Sequence, residues 1–146
     1  MLHDHAFING LNEEQIATLA AIASEVTFEE HDVILEDGQR STSFYLIASG
    51  SVAVELRTPR YVISVQALGP GEAFGWSSLL EHQDTLFQVR ARERTTALRF
   101  DGPALQSVCH ADPRLGSEIL HRTLQLVAGR VKATEVRFAE MCGVRL

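Results

Sequence analysis

No lysine or arginine occurs before Arg40, although Glu13, Glu14, Glu25, Glu29, Glu30, Asp32, Glu36 and Asp37 all precede it. With a net charge of −6, the chain presents an acidic skin that repels nucleic acid. The basic residues of the last thirty or so positions (Arg114, Arg122, Arg130, Lys132, Arg137, Arg145) are offset by Glu118, Glu135 and Glu140. They read as a solvated helix face. No apolar run approaches the roughly 18 residues needed to span a membrane, and the start MLHDHAF lacks a basic-then-apolar signal region. A cytoplasmic protein is expected. Cys109 and Cys142 are the only cysteines, which excludes a disulfide framework and leaves reduced, inert thiols. Metal-ligating clusters are equally sparse: His3-Asp4-His5 sits at a terminus expected to be mobile.

What is present begins with the stretch Gly69 to Ala91. Gly69, Pro70, Gly71 and Gly75 fall within seven residues, too dense for a helix or strand interior. Trp76 to Glu81 is long enough for one or two helical turns. Thr85, Phe87, Val89 and Ala91 then share one parity, hence one face of a strand. Turn, short helix and strand present backbone N–H groups to an anion, here around the Gly71–Gly75 turn and Ser77. The stretch frames a ligand-sized hollow.

Along the chain, Asn12 is an N-cap with Gln15 as its capping-box partner, and Leu11 staples against Ile16. Ile16, Leu19, Ala20 and Ala23 extend an apolar stripe, so a helix is expected from Glu13 to about Ser24. From Glu25 to Phe100 the rhythm changes to short extended runs: Val26–Phe28, Val33–Leu35, Phe44–Ala48, Val52–Leu56, Tyr61–Leu68, Phe87–Ala91 and Ala97–Phe100. The Phe44–Ala48 run is apolar on both faces. Eight or so short strands with regular turns predict a mainly β, α+β domain: an eight-stranded jelly-roll-like barrel with one N-terminal and two C-terminal helices. With 146 residues, one domain is the default. In it, 1–112 carry the first helix, the roll and a short helix, and 113–146 a long last helix.

Asp101-Gly102-Pro103 caps the short helix through about Cys109, with Leu105 and Val108 inward. Asp112-Pro113 opens the last one, no proline follows, and Gly143 is its stop. About 30 residues make a helix of roughly 45 Å, more than one small roll can cover. Leu120, Leu124, Val127, Val131, Thr134, Phe138 and Met141 recur at alternating four- and three-residue steps, the spacing of a coiled-coil seam. Up to Leu124 this face is expected to pack on the roll. From Val127 through Val131, Thr134, Phe138 and Met141 it is read as a homodimer seam.

These motifs, taken in order, resemble the cyclic nucleotide-binding domain of the catabolite activator and kinase regulatory-subunit families. The resemblance rests on Phe44-Tyr45-Leu46-Ile47 through Ser49-Gly50, on Val52 and Val54, and on Leu68-Gly69-Pro70-Gly71-Glu72. Phe74-Gly75, Leu79-Leu80 and Val89-Arg90-Ala91 complete it. It covers about residues 10 to 142 and looks especially like the stand-alone bacterial members with a Gly-Trp-Ser cassette. The resemblance implies a regulatory module with a phosphate-binding cassette, whose pocket here would involve Gly71, Glu72, Phe74, Gly75, Trp76, Ser77, Ser78, Leu79, Thr85, Phe87 and Val89. It also implies an Arg for the cyclic phosphate and a Glu after the Phe-Gly pair for the ribose. This chain has Thr85 at the first position and Trp76 at the second, with Phe87 where a small residue is expected. Arg90 has the wrong parity to reach the pocket.

Four readings follow. A non-enzymatic sensor whose pocket has lost or changed its ligand, with weak or no binding of cAMP and cGMP, is preferred. A subunit that binds a protein partner and no small ligand is its alternative. A cupin-type metalloenzyme needs a close His-x-His and a Glu, but the strand region offers only the distant His31 and His82. A transcription factor needs a reading helix after the long one, and none follows. No cofactor, metal, membrane or nucleic acid is expected.

Overall fold

The computed structural model of the chain describes residues 2–80 and 85–145. Asn12 and Gln15 form the capping box: the Asn12 side chain accepts from the Gln15 N–H at 2.8 Å, and that of Gln15 accepts from the Asn12 N–H at 3.1 Å. Helix α1 spans Glu13–Ala20, shorter than the expected helix to about Ser24. Ala23–Phe28 instead becomes β1, paired antiparallel with Thr95–Asp101, the strand β8. A long ladder on a neighbouring strand outweighs one more turn of helix.

Between them lie β2 (Val33–Leu35), β3 (Ser43–Ser49), β4 (Val52–Arg57), β5 (Val62–Leu68), β6 (Ala73–Phe74) and β7 (Phe87–Ala91). Among the described residues, eight strands form two antiparallel sheets, ordered β1-β8-β3-β6 and β2-β7-β4-β5. This is the jelly-roll arrangement expected, as two facing sheets and not as a closed barrel. The double-sided apolar character of β3 is explained by its place. Phe44 and Leu46 face a helical layer, while Tyr45 and Ile47 face the opposite sheet with Val52, Val54 and Val89.

The helical layer holds α1, α2 (Gly102–Ala111) and α3 (Pro113–Met141). Asp101 caps α2, and Asp112 caps α3 through the N–H groups of Arg114 and Leu115. The two helices meet closely: a Cβ on Gly116 would lie 2.6 Å from the Cys109 carbonyl oxygen, so only glycine fits there. Leu105, Leu115 and Ile119 are buried in the joint.

The first residues are part of the core, which corrects the expectation of a mobile terminus. Phe7, Ile8 and Leu11 are buried, and Phe7 stacks obliquely on Phe44 at 5.2 Å between ring centres. Arg122 on α3 donates to the carbonyls of Phe7 and Asn9, both at 2.7 Å, and is therefore no solvated helix residue. His5 is buried between them. Its Nε2 donates to the Ile47 carbonyl at 2.9 Å and its Nδ1 accepts from the Phe7 N–H at 3.1 Å, so both ring nitrogens are occupied in the neutral form. The His3-Asp4-His5 metal motif is thus lost at His5, and the side chain of His3 lies outside the description. Among the described residues no three His, Cys, Asp or Glu side chains could hold a metal ion together. None of their helices is long and apolar enough to cross a membrane.

Candidate functional site

The mouth of the roll, where the two sheets, the cassette and α3 come together, encloses a cavity of about 610 Å³. That volume is typical of small-molecule sites. The cassette is held by a tight hinge. Gly75 adopts a positive φ of 83° and lies so close to the Ser43 carbonyl oxygen that a Cβ would collide with it. Trp76–Leu79 follows as a single 3₁₀ turn. Ser77 Oγ accepts from the Ser41 N–H at 3.1 Å, and the Gln106 side chain donates to the Ser78 carbonyl at 2.9 Å. These bonds fix the turn between β3 and α2. The end of the expected helical run, Glu81, lies outside the described residues, as do His82 and Asp84.

Of the cassette residues singled out from the sequence, Phe74, Gly75, Trp76, Ser77, Thr85, Phe87 and Val89 line the cavity. Gly71 and Glu72 border a neighbouring hollow on the other side of Arg130. Ser78 is buried between the turn and α2, and Leu79 packs on the helical-layer core. Of the seam residues, Val127, Val131, Thr134 and Phe138 form the α3 wall of the same cavity, while Met141 is 60% exposed beyond it.

The charges are placed as follows. Arg90 lies on the outer face of its sheet, where its Nη2 donates to Glu55 at 2.8 Å and Gln88 donates to the same carboxylate at 2.9 Å. It is tied away from the cavity. Thr85 Oγ1 accepts from the Phe87 N–H at 3.1 Å, closing a small turn at the start of β7. The expected N–H cradle in the Gly71–Gly75 turn is partly spent on the backbone. Gly71 donates to the Ile47 carbonyl and Glu72 to that of Gly69, each at 3.1 Å. The Glu72 carboxylate turns back onto the Gly69 N–H at 2.8 Å.

Sequence reasoning missed six lining residues: Leu35, Val54, Gln66, Leu86, Glu135 and, most consequentially, Arg130. Arg130 is the only cation among the described lining residues. Its Nε is buried without a hydrogen-bond partner. Burial lowers its hold on its proton, and the nearby Glu72 carboxylate opposes that effect. A signal was available. Arg130 stands three residues after Val127 and four before Thr134, so it shares their helix face.

The cyclic nucleotide-binding domain family matches residues 25–112 of the chain. Among curated proteins it is 28% identical over 130 residues to Glutaminase 1 of Bradyrhizobium diazoefficiens, covering 89% of this chain and 21% of that one. The chain spans less than a third of the length of the first curated relatives it matches, at 28%, 21% and 5%. Among solved structures it superposes on a cyclic nucleotide-binding domain from Methylobacillus flagellatus with a TM-score of 0.81 at 21% identity, over 91% of this chain and 75% of that one. It also superposes on the regulatory subunit of a cAMP-independent protein kinase A from Trypanosoma brucei. That structure is a mutant with three substitutions, one of them threonine to arginine, bound to cAMP (TM-score 0.72, 22% identity, 96% and 48% coverage). With its eight strands, cassette and long last helix, this chain belongs to the cyclic nucleotide-binding domain family.

Proposed function

We propose that the chain is a non-enzymatic sensor module that binds cAMP and cGMP weakly or not at all, and that it works as a homodimer. The observation that carries the first part is the composition of the cassette wall. Thr85 and Trp76 line the cavity where the family resemblance implies an arginine and a glutamate, and Arg90 is tied to Glu55 on the opposite face. Each missing contact is a charge-assisted hydrogen bond worth about 1.5–3 kcal/mol. The pair is worth roughly 3–6 kcal/mol, or about two to four decades of affinity. The trypanosomal mutant, in which a threonine-to-arginine exchange accompanies bound cAMP, points the same way.

Calorimetric titration tests this reading. Cyclic AMP and cyclic GMP should bind in the high-micromolar range, about 100 μM or weaker. Thr85→Arg combined with Trp76→Glu should tighten binding, because Trp76 and Phe87 line an open cavity and do not fill it. Submicromolar binding of cAMP by the wild type would overturn the proposal.

The second part rests on the exposed stripe of α3. Leu120 and Leu124, expected to pack on the roll, are instead 57% and 67% exposed, and Val131 and Phe138, at seven-residue steps from Leu124, are 51% and 69% exposed. Heptad spacing fits a parallel or antiparallel copy of the same helix. Since Val131 and Phe138 also border the cavity, a docked copy would narrow its mouth. No sequence-specific DNA binding by the chain itself is expected, and a gel shift at physiological salt checks that.

A further inference from the structure

The cavity is polarised in an unexpected direction. Its cassette end is aromatic and aliphatic, built from Phe74, Trp76, Phe87 and Val89. Its only cation among the described lining residues, Arg130, stands on α3 at the opposite wall. The hydroxyl oxygens of the cassette side each already accept a backbone bond, and neither carries a charge. Ser77 Oγ accepts from Ser41 and Thr85 Oγ1 from Phe87. A ribose and cyclic phosphate entering cassette-first would bring their polar atoms to the end that has least to offer them.

Arg130 has the opposite problem. Its Nε is buried without a partner, an expensive arrangement for a guanidinium that persists best where an acceptor can arrive. Glu72 is the carboxylate whose field reaches it, but one oxygen of that carboxylate is occupied by the Gly69 N–H. Glu135 also lines the cavity and is exposed, so its charge is screened at the mouth. With Glu72 compensating part of the positive charge, the helix wall suits a single negative charge. A cyclic phosphate also carries only one, so the preference for a carboxylate rests on the shape of the guanidinium and on the apolar cassette end. A planar carboxylate matches the guanidinium fork with two parallel hydrogen bonds.

We propose that the cavity between the cassette and α3 binds an amphipathic monocarboxylate, with the carboxylate on Arg130 and the apolar chain or ring against Trp76, Phe74 and Phe87. This rests on the preceding reading that the cassette has given up the usual nucleotide. It adds the class of ligand and inverts its orientation. The cavity volume of about 610 Å³ holds such a molecule with room to spare.

The chain has one tryptophan, and it lines the cavity, so its emission is a direct probe. Octanoate and phenylacetate are titrated into the full chain beside their neutral isosteres, octanamide and phenylacetamide. The acids should change Trp76 emission saturably, and the amides should bind about ten-fold or more weakly, the worth of one charge-assisted pair. Arg130→Gln should bring acid and amide to within about two-fold of each other. Arg130→Lys keeps the charge without the fork, so it should retain part of the gap even if Arg130→Gln fails to fold. No saturable response to either acid, equal binding of acid and amide, or an undiminished gap in Arg130→Gln would each overturn the proposal. Cyclic AMP is titrated in parallel. Tight binding there would overturn the weak-nucleotide reading, while the acid–amide gap decides this one separately.

Discussion

The two halves of α3 face different tasks. In the first half Leu115 and Ile119 are buried at 0% and 1% exposure, and Arg122 pins the first residues of the chain to the helix. In the second half Val131 and Phe138 are 51% and 69% exposed beside a cavity, and Arg130 has a buried Nε without a partner. One continuous helix thus serves as a core element and then as the wall of a site, and its two tasks use different faces. Leu115 and Ile119 lie off the heptad rhythm, whose first members Leu120 and Leu124 are 57% and 67% exposed. Regular periodicity states that a face is apolar. What meets that face is decided by where the sheets end. The first half lies over the helical-layer core, and the second runs past the mouth of the roll.

The largest expected effect breaks this comparison most directly. Leu115→Ala should lower the unfolding free energy by about 2–5 kcal/mol, since the cavity it leaves is enclosed by α2 and the roll. Val131→Ala should cost about 1 kcal/mol or less, because half the side chain is already in solvent. Urea unfolding of both variants measures the difference. Equal losses would erase the distinction between the halves.

Next comes self-association. Each seam side chain fully buried against a second copy contributes on the order of 1.5–3 kcal/mol. Val131→Asp should therefore weaken the dimer by at least about ten-fold while leaving each copy folded. Light scattering at micromolar concentration reads the mass, and a monomeric wild type would remove the seam.

The smallest effect concerns the anchored terminus. Burial lowers the pKa of folded His5 from its ordinary value of about 6.5, against the opposing pull of the Ile47 and Glu72 carbonyls. Between the two values the unfolded chain binds the extra proton. The stabilisation is therefore complete above about pH 6.5 and is lost as pH falls through the folded value. The urea midpoint should fall more steeply from about pH 7.5 to about pH 5 in the wild type than in His5→Gln. Parallel slopes would show that His5 stays unprotonated, or opens, without cost.

Much of the architecture was legible in the chain. The Asn12–Gln15 box, the Asp101 and Asp112 caps and the alternation of Val52 to Leu56 are local signals, and local geometry realises them. The two apolar faces of Phe44–Ala48 also announced a strand covered on both sides. The end of α1 was not legible, because Ala23 and Ser24 fit a helix or a strand equally well. Only the pairing with Phe100 and Arg99 selects the strand. The short, mixed first residues read as a mobile terminus. Their burial depends on Arg122, more than a hundred positions away.

At the site the division is sharper. Thr85 and Trp76 at the places where the family resemblance implies charged groups could be read directly, as could the parity that turns Arg90 outward. Sequence by itself therefore determined the strand-rich fold and the position of the cassette, since both follow from residue type, period and spacing within short windows. The charged groups expected in the cassette are what the family resemblance implies. Tertiary structure alone decided that a cation returns to the cavity from the far wall. Arg130 is separated from Thr85 by β7, β8 and α2, and no local pattern couples the two. Only the packing of α3 across the mouth of the roll brings that guanidinium into the cavity the cassette frames, where burial leaves its Nε in need of a partner.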